Sequence, residues 1–400
     1  MEKYFSGLEK RFGKARHLGT VPARFGERYF NGIMGWQFPE EKILEANREG
    51  RLLTMDLDFP GERCALNCSY CFAKAGEKTG TYYRPDKGHR PLALEEIKRL
   101  LLEAKELGLE SAKVIGYREP FDNPGIYDFI DFAAEQGIHL VIFTSAYTLG
   151  EEHFKGNLQK AIDFLAERPV SLMIKMHTLN DEKEDRIVGL PGFAKKRDYY
   201  LKALLDDGKF ISETPTRLGI ENVIATQNSR ELLTMYKYFK VFRNVFVDLD
   251  PPIPVGRTGT LEEAEKAGLM GQKRLKELCI ETYRINKRHG IAFEGVSPYF
   301  GGPKCSQLPN GLYLTLSGQV FTCCGGDECI GNVREKTLKE IFAQNPHRKK
   351  ECVYHSCPYR EKRGMMTEEF VREAESEINQ GKRESPRPKG RGFGGSTGPV

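Results

Sequence analysis

The sequence predicts an α/β protein: a partial (β/α)6, TIM-like barrel followed by a small cysteine-rich C-terminal domain. Two observations carry this. From about residue 51 to 255, short apolar runs alternate with helix-period segments, and such alternation builds a parallel sheet with right-handed crossovers. Nine of the ten cysteines fall in two groups, at 64–71 just after the first strand and at 305–357 beyond the last. With 39% hydrophobic and 29% charged residues among 400, the chain has the material for an ordinary globular core.

Residues 1–50 read as an N-terminal extension with Gly-rich turns, the only tryptophan (Trp36) and a short helix over Glu40–Arg48. Within 51–255, "LLTMDLDF" is the first strand and "LALEEIKRLLLEAKELG" a helix ending at Gly108. "SAKVIG", "IHLVIFTS", "VSLMIKM", "RLGIENVIAT" and "NVFVDLD" supply five further strands. The helices between them are "IYDFIDFAAEQG", "LQKAIDFLAE", "FAKKRDYYLKALLDDG" and "SRELLTMYKYFK". Residues 256–290 form a linking helix, with a helical pattern from about Leu261 to His289. Residues 291–365 are rich in Gly and Cys, with short strands in "GLYLTLSG" and "QVFTC", and form a small metal-held domain. Residues 366–400 carry a helix at "MTEEFVREAESEIN" and then a Pro/Gly/Arg-rich stretch from Gly381 whose composition favours disorder.

Several function classes drop out. No run of eighteen apolar residues is present, so no membrane span is expected. The N-terminus lacks the apolar core of a secretory signal, so a cytoplasmic protein is expected. Net charge is +5, but the last twenty residues carry five Lys/Arg and one Glu, which leaves the body near +1. A basic tail on a nearly neutral body is read as solvated, and no nucleic-acid partner is expected. Thiols stay reduced in such a compartment, and clustered cysteines there point to metal.

In "RCALNCSYCF", Cys64-x3-Cys68-x2-Cys71 places three soft thiolate ligands on one tight loop. A structural zinc closes its shell with four ligands, whereas the next histidine is His89. Three ligands suggest a site left open. In a four-iron cluster they leave one iron free to take a substrate or cofactor.

This motif after a first strand, leading a run of βα units, resembles the radical SAM superfamily. The resemblance implies that a [4Fe-4S] cluster on Cys64, Cys68 and Cys71 binds S-adenosylmethionine (SAM) and cleaves it to a 5′-deoxyadenosyl radical that abstracts hydrogen. Tyr70 matches the family's aromatic residue beside the adenine, with Phe72 next to it. "VIGYREPF" stands where the family has a Gly-Gly-Glu-Pro-like turn that receives the methionine amino group. This implies roles for Gly116, Tyr117, Arg118 and Glu119, with Arg118 where glycine is usual. Thr144 and Ser145 occupy the family's ribose-contacting position. Lys175 would meet the SAM carboxylate, the alternative being a lysine that caps a strand end in solvent. Asn228 is the polar candidate near the adenine.

Cys305-x12-Gly318-x4-Cys323, followed by Cys324, Cys329, Cys352 and Cys357, resembles the SPASM/twitch extensions that carry auxiliary iron–sulfur clusters. The pattern is reduced from the full seven-cysteine form. It implies one auxiliary [4Fe-4S] cluster on Cys305, Cys323, Cys352 and Cys357, with Cys324 and Cys329 spare or one of them a replacement ligand. A single zinc is the alternative, because spacing does not separate zinc from iron. Cys279, at helical spacing with Leu275 and Leu278, reads as a core thiol. His177, after the fourth strand, would face the barrel mouth.

The implied function is radical chemistry on a peptide, protein or small molecule, in peptide maturation or cofactor biosynthesis, with ferredoxin or flavodoxin as reductant. The alternatives are a zinc-binding scaffold without activity, or a radical enzyme acting on RNA. No corrinoid-binding run is present.

Overall fold

The computed structural model describes residues 2–15, 32–61, 64–72, 90–116, 118–252, 255–293, 295–296, 300, 305–326, 328–348 and 356–383. Tyr117, Cys352 and the basic tail from 384 onward therefore lie outside the described residues.

Six parallel strands form as expected: β1 (Thr54–Asp58), β2 (Ser111–Gly116), β3 (His139–Thr144), β4 (Val170–Lys175), β5 (Leu218–Val223) and β6 (Phe246–Asp250). Helices α3 (Leu94–Glu106), α4 (Gly125–Glu135), α5 (Leu158–Ala166), α6 (Asp181–Val188), α7 (Phe193–Asp207) and α8 (Leu232–Tyr236) lie between them. Their inward stripes, such as Ile97, Leu100, Leu101 and Ala104 on α3, join one large apolar core with the outward-facing strand residues. The "SRELLTMYKYFK" helix is short, because α8 widens into a π turn over Lys237–Val241.

The sheet order is β6-β5-β4-β3-β2-β1-β7-β8-β9. β1 pairs with β2 on one side and with β7 (Gly311–Leu314) on the other, so the sheet is open, as a partial barrel requires. β8 (Gln319–Phe321) and β9 (Cys329–Asn332) continue it antiparallel. The cysteine-rich segment thus does not stand apart: its first strand hydrogen-bonds to the first barrel strand. The linking segment is two helices, α9 (Leu261–Lys266) and α10 (Gln272–Arg288), because the chain turns at Gly268 with φ +95°. Helix α11 (Gln307–Asn310) precedes β7, α12 (Leu338–Ala343) and α13 (Pro358–Glu361) follow β9, and α14 (Glu368–Arg383) packs on α10. Cys279 is fully buried in the main core.

The N-terminal extension forms α1 (Glu2–Phe12), α2 (Glu40–Glu49) and, between them, a plug beneath the sheet. Ile33 bridges Thr216, the Ser171 hydroxyl donates to the Met34 carbonyl at 2.8 Å, and Gly35 lies against His139, all at the strands' N-terminal ends. Gly35 has φ +82°, and a Cβ there would come within 2.2 Å of His139, so only glycine passes. This turn delivers Trp36 to the sheet's concave face. Its ring sits edge-on to Phe143 and Phe246, with centroids at 5.2 and 5.8 Å. Trp36 is 8% exposed. We expect Trp36→Ala to lower unfolding free energy by about 3–5 kcal/mol. Urea denaturation checks this, and a loss below about 1 kcal/mol would show that the plug does not close the core.

Candidate active site

The three front cysteines ride on the loop after β1, and that loop is tied down from two sides. On one side, the Asn67 amide donates to the Val188 carbonyl at 2.7 Å and the Ser69 amide to the Ile187 carbonyl at 3.0 Å. On the other, the Arg257 guanidinium donates to the carbonyls of Cys68 (2.7 Å) and Asn67 (3.1 Å) and to Asn67 Oδ1 (2.7 Å). The Arg257 amide also donates to the Cys71 carbonyl at 3.2 Å. This close approach needs Gly256, with φ +61°, since a Cβ there would lie 2.2 Å from the Phe72 carbonyl oxygen. Charge-assisted, forked bonds of this kind fix geometry as well as add energy.

Burial raises the Cys64 thiol and pushes Cys68 up to about 11, while Lys175 pulls both down. Ligation therefore releases protons, and Lys175 favours the thiolate forms.

All three thiols line one cleft of about 870 Å³, counting its open mouth. Tyr70, Phe72, Gly116, Arg118, Glu119 and Lys175 line it too, so six of the sequence-predicted contact residues converge there. The cleft opens where β1, β2, β4, β5 and β6 end. Glu221, Asp250 and two prolines form its β5–β6 side.

Glu119 is buried and held rigidly. It accepts from the Thr144 hydroxyl, from the Ser145 amide at 2.7 Å and from the Ser145 hydroxyl at 2.5 Å. Burial raises its pKa against the pull of these bonds. Thr144 and Ser145 are themselves buried and are not among the cleft's lining residues. Both hydroxyls donate to Glu119 and so orient it. Asn228 lies beside a smaller neighbouring space, with its side chain bonded to Ala225 N, Val223 O and Asn222 Oδ1. It caps the turn after β5.

Lys175 ends β4 and pairs in register with Glu221 on β5, which pairs with Asp248 on β6. Burial disfavours the Lys175 ammonium, but Glu221, Cys68, Cys71 and Glu119 outweigh it and raise its pKa. It is a member of the cleft, not a solvent-facing cap.

The Tyr70 ring packs edge-on to His177 at 4.6 Å, and its oxygen bonds His177 Nε2. His177 Nδ1 accepts from the Val223 amide at 3.3 Å, which assigns the ring proton to Nε2 and makes it the donor to Tyr70. Burial, Lys175 and Arg197 keep the imidazole neutral. The Tyr70 hydroxyl also bonds Cys68. His177 thus stands behind Tyr70 and braces it.

At the rear, Cys305, Cys323, Cys324 and Cys357, each half-buried, gather in one region. Burial, with Cys323 and Cys357 nearby, pushes Cys305 up to about 12. Cys323 accepts from the Gly325 amide at 3.4 Å and from Cys324, which lowers its pKa. Cys329 is exposed and donates to the Gly331 carbonyl at 3.2 Å, away from this group. Among the described residues, no three Cys, His, Asp or Glu converge closely enough to hold a single metal ion.

Sequence reasoning missed Arg257, Glu221, Asp248, Asp250 and Arg360. The acids left a readable trace: charged residues at inward positions of otherwise apolar strands, in "GIENV" and "FVDLD". The arginines left none, because their partners lie 110 to 190 residues away.

The open parallel sheet and the all-sulfur donor loop after its first strand are the features that the resemblance to the radical SAM superfamily implies. Residues 59–205 match the Radical SAM superfamily model. No curated protein matches the sequence. Among solved structures, Streptococcus suis SuiB bound to its precursor peptide SuiA is similar at 16% identity. That match covers 77% of this chain and 68% of that one, with a TM-score of 0.54. SuiB bound to S-adenosylmethionine gives 17% identity, 77% and 69% coverage and a TM-score of 0.54. The [FeFe]-hydrogenase maturase HydG, at 13% identity with 84% and 71% coverage, has a TM-score of 0.42. At these identities the SuiB matches speak for the fold.

Arg257→Ala should leave the fold intact while loosening the cysteine loop. We expect iron to pass from the reconstituted front site to a chelator about 10–100-fold faster than in wild type. An unchanged release rate would show that the loop needs no clamp.

Proposed function

We propose that this chain is a radical SAM enzyme with a SPASM/twitch-type C-terminal extension, and that it acts on a peptide substrate. The observation that carries the reading is the single cleft where Cys64, Cys68 and Cys71 meet Glu119 and Lys175. The donor set fits a [4Fe-4S] cluster: three sulfurs from one loop, with no fourth Cys or His among the lining residues. When bound, the cluster supplies the electron that cleaves S-adenosylmethionine to a hydrogen-abstracting 5′-deoxyadenosyl radical.

The protein's own part is positioning and exclusion of water. Glu119, oriented by Thr144 and Ser145, would accept from the SAM ammonium. Lys175 would donate to its carboxylate. Two opposite charges at fixed places orient a zwitterion, and desolvation strengthens both contacts. Tyr70, braced by His177, would form a wall of the adenine pocket, with Phe72 beside it. Gly116, Tyr117 and Arg118 would complete the turn around the methionine end, and Asn228 would act through the loop after β5. At the rear, Cys305, Cys323, Cys352 and Cys357 would hold one auxiliary [4Fe-4S] cluster. The gathering of the three described members, each half-buried, supports this. A cytoplasmic protein using ferredoxin or flavodoxin as electron donor completes the proposal. No helix among the described residues is long and apolar enough to cross a membrane. A peptide substrate is favoured because the similar fold of SuiB was solved with its precursor peptide bound.

After anaerobic reconstitution we expect about eight irons per chain and 5′-deoxyadenosine on adding SAM and dithionite, with none from Cys68→Ala. Equal product from that variant contradicts the front site. A stable value near four irons in wild type contradicts the auxiliary cluster, and colourless protein holding zinc would favour a scaffold.

A further inference from the structure

Three carboxylates stand together at the ends of β5 and β6. Glu221 pairs in register with Asp248, and Val223 pairs with Asp250. Successive inward positions on one strand are two residues apart, so Asp248 and Asp250 share a face. Glu221 and Asp250 both line the cleft, which fixes the direction in which that face looks. Asp248 is 3% exposed.

Each of the three keeps one buried oxygen idle. Glu221 Oε2, Asp248 Oδ1 and Asp250 Oδ1 accept no hydrogen bond among the described residues. Buried carboxylate oxygens are normally satisfied, because leaving one bare forfeits its hydration without replacement. The surrounding cations do not fill these places. Arg360 bonds Asp250 through the other oxygen, Oδ2, at 2.5 Å. Lys175 acts electrostatically on Glu221, and Lys240 and Arg360 on Asp248. With SAM bound as proposed above, Lys175 is engaged by the SAM carboxylate and Glu221 loses part of even that influence.

We infer that Glu221 and Asp250, with Asp248 buried behind them, form a substrate subsite for an organic cation, an ammonium or guanidinium group, on the β5–β6 side of the cleft. The geometry favours an organic cation over a metal ion. No three ligating residues among those described converge on one point, whereas a guanidinium or ammonium carries several donors on a larger frame. The inference rests on the radical SAM reading and narrows its substrate to one that carries a positive charge near the reacting position. Arg360 then acts as a positioning residue, holding Asp250 through Oδ2.

The test uses the full chain, reconstituted, with Nα-acetyl-lysine methylamide, the arginine analogue and the neutral norleucine analogue as probes. Binding is measured by calorimetry with and without SAM, and SAM binding is measured on the same preparation. We expect both cationic probes to bind about 10-fold or more tighter than norleucine, and Asp248→Asn to shrink that preference to about threefold or less. Glu221→Gln serves as a second variant, should the first not fold. Equal affinity of the three probes in wild type, or no binding by any of them, overturns the subsite. Failure of SAM to bind, with the cationic preference intact, overturns the radical SAM reading and leaves the subsite standing.

Discussion

Lys175, Glu221 and Asp248 lie side by side across β4, β5 and β6, a row of charge on the inner face of a parallel sheet that also carries the buried Asp56–Lys113 pair. Parallel strands covered on both faces ordinarily exclude such residues, since each buried charge costs several kcal/mol, roughly, unless paired. The row is tolerable only where the sheet stays open and its mouth stays wet. That requirement accounts for much of the surrounding architecture. Trp36 fills the opposite end of the concave face with aromatic contacts, so the apolar closure is made where no charge needs to reach out. The helices carry apolar stripes on the outer side, and the core that results leaves the inner face free for polar work. Burial pushes Glu221, Asp248, Asp250 and Glu119 upward together, so the folded state bears the cost of its own site.

The β/α alternation was legible because its signals are local: apolar runs of strand length, helix periodicity, and glycine at Gly108 and Gly208 where α3 and α7 end. The Cys64–Cys71 spacing was legible for the same reason. What the sequence withheld is long-range. The Trp36 plug depends on a turn at Gly35 meeting His139, and nothing near residue 36 announces that. Thr144 and Ser145 have the right chemistry for a sugar, yet Glu119 is 25 residues back and claims both. The "LEEAEKAGLMGQKRLKELC" pattern read as one helix because its apolar period continues. The glycines at 268 and 271 outweigh that period, since each lowers helix propensity by about 1 kcal/mol.

The two cysteine groups share the barrel's structure more closely than a two-domain reading implies. β7 hydrogen-bonds to β1, and the Tyr313 hydroxyl on β7 donates to Asp58 at 2.9 Å, the last residue before the front loop. Inside the sheet, Lys113 pairs with Asp56 at 2.8 Å and donates to Gln307 at 3.0 Å, while Gln307 donates to the Thr322 carbonyl beside Cys323. Front and rear groups are therefore braced by the same two strands.

The central claim is that a four-iron cluster held by Cys64, Cys68 and Cys71 leaves its fourth iron open to S-adenosylmethionine. Electron paramagnetic resonance of a Cys305→Ala, Cys323→Ala, Cys357→Ala variant, reconstituted and reduced with dithionite, tests it with the rear signal removed. The account predicts a reduced four-iron spectrum whose line positions move on adding S-adenosylmethionine. A spectrum that the addition leaves unchanged, or no iron–sulfur signal at all, would contradict it.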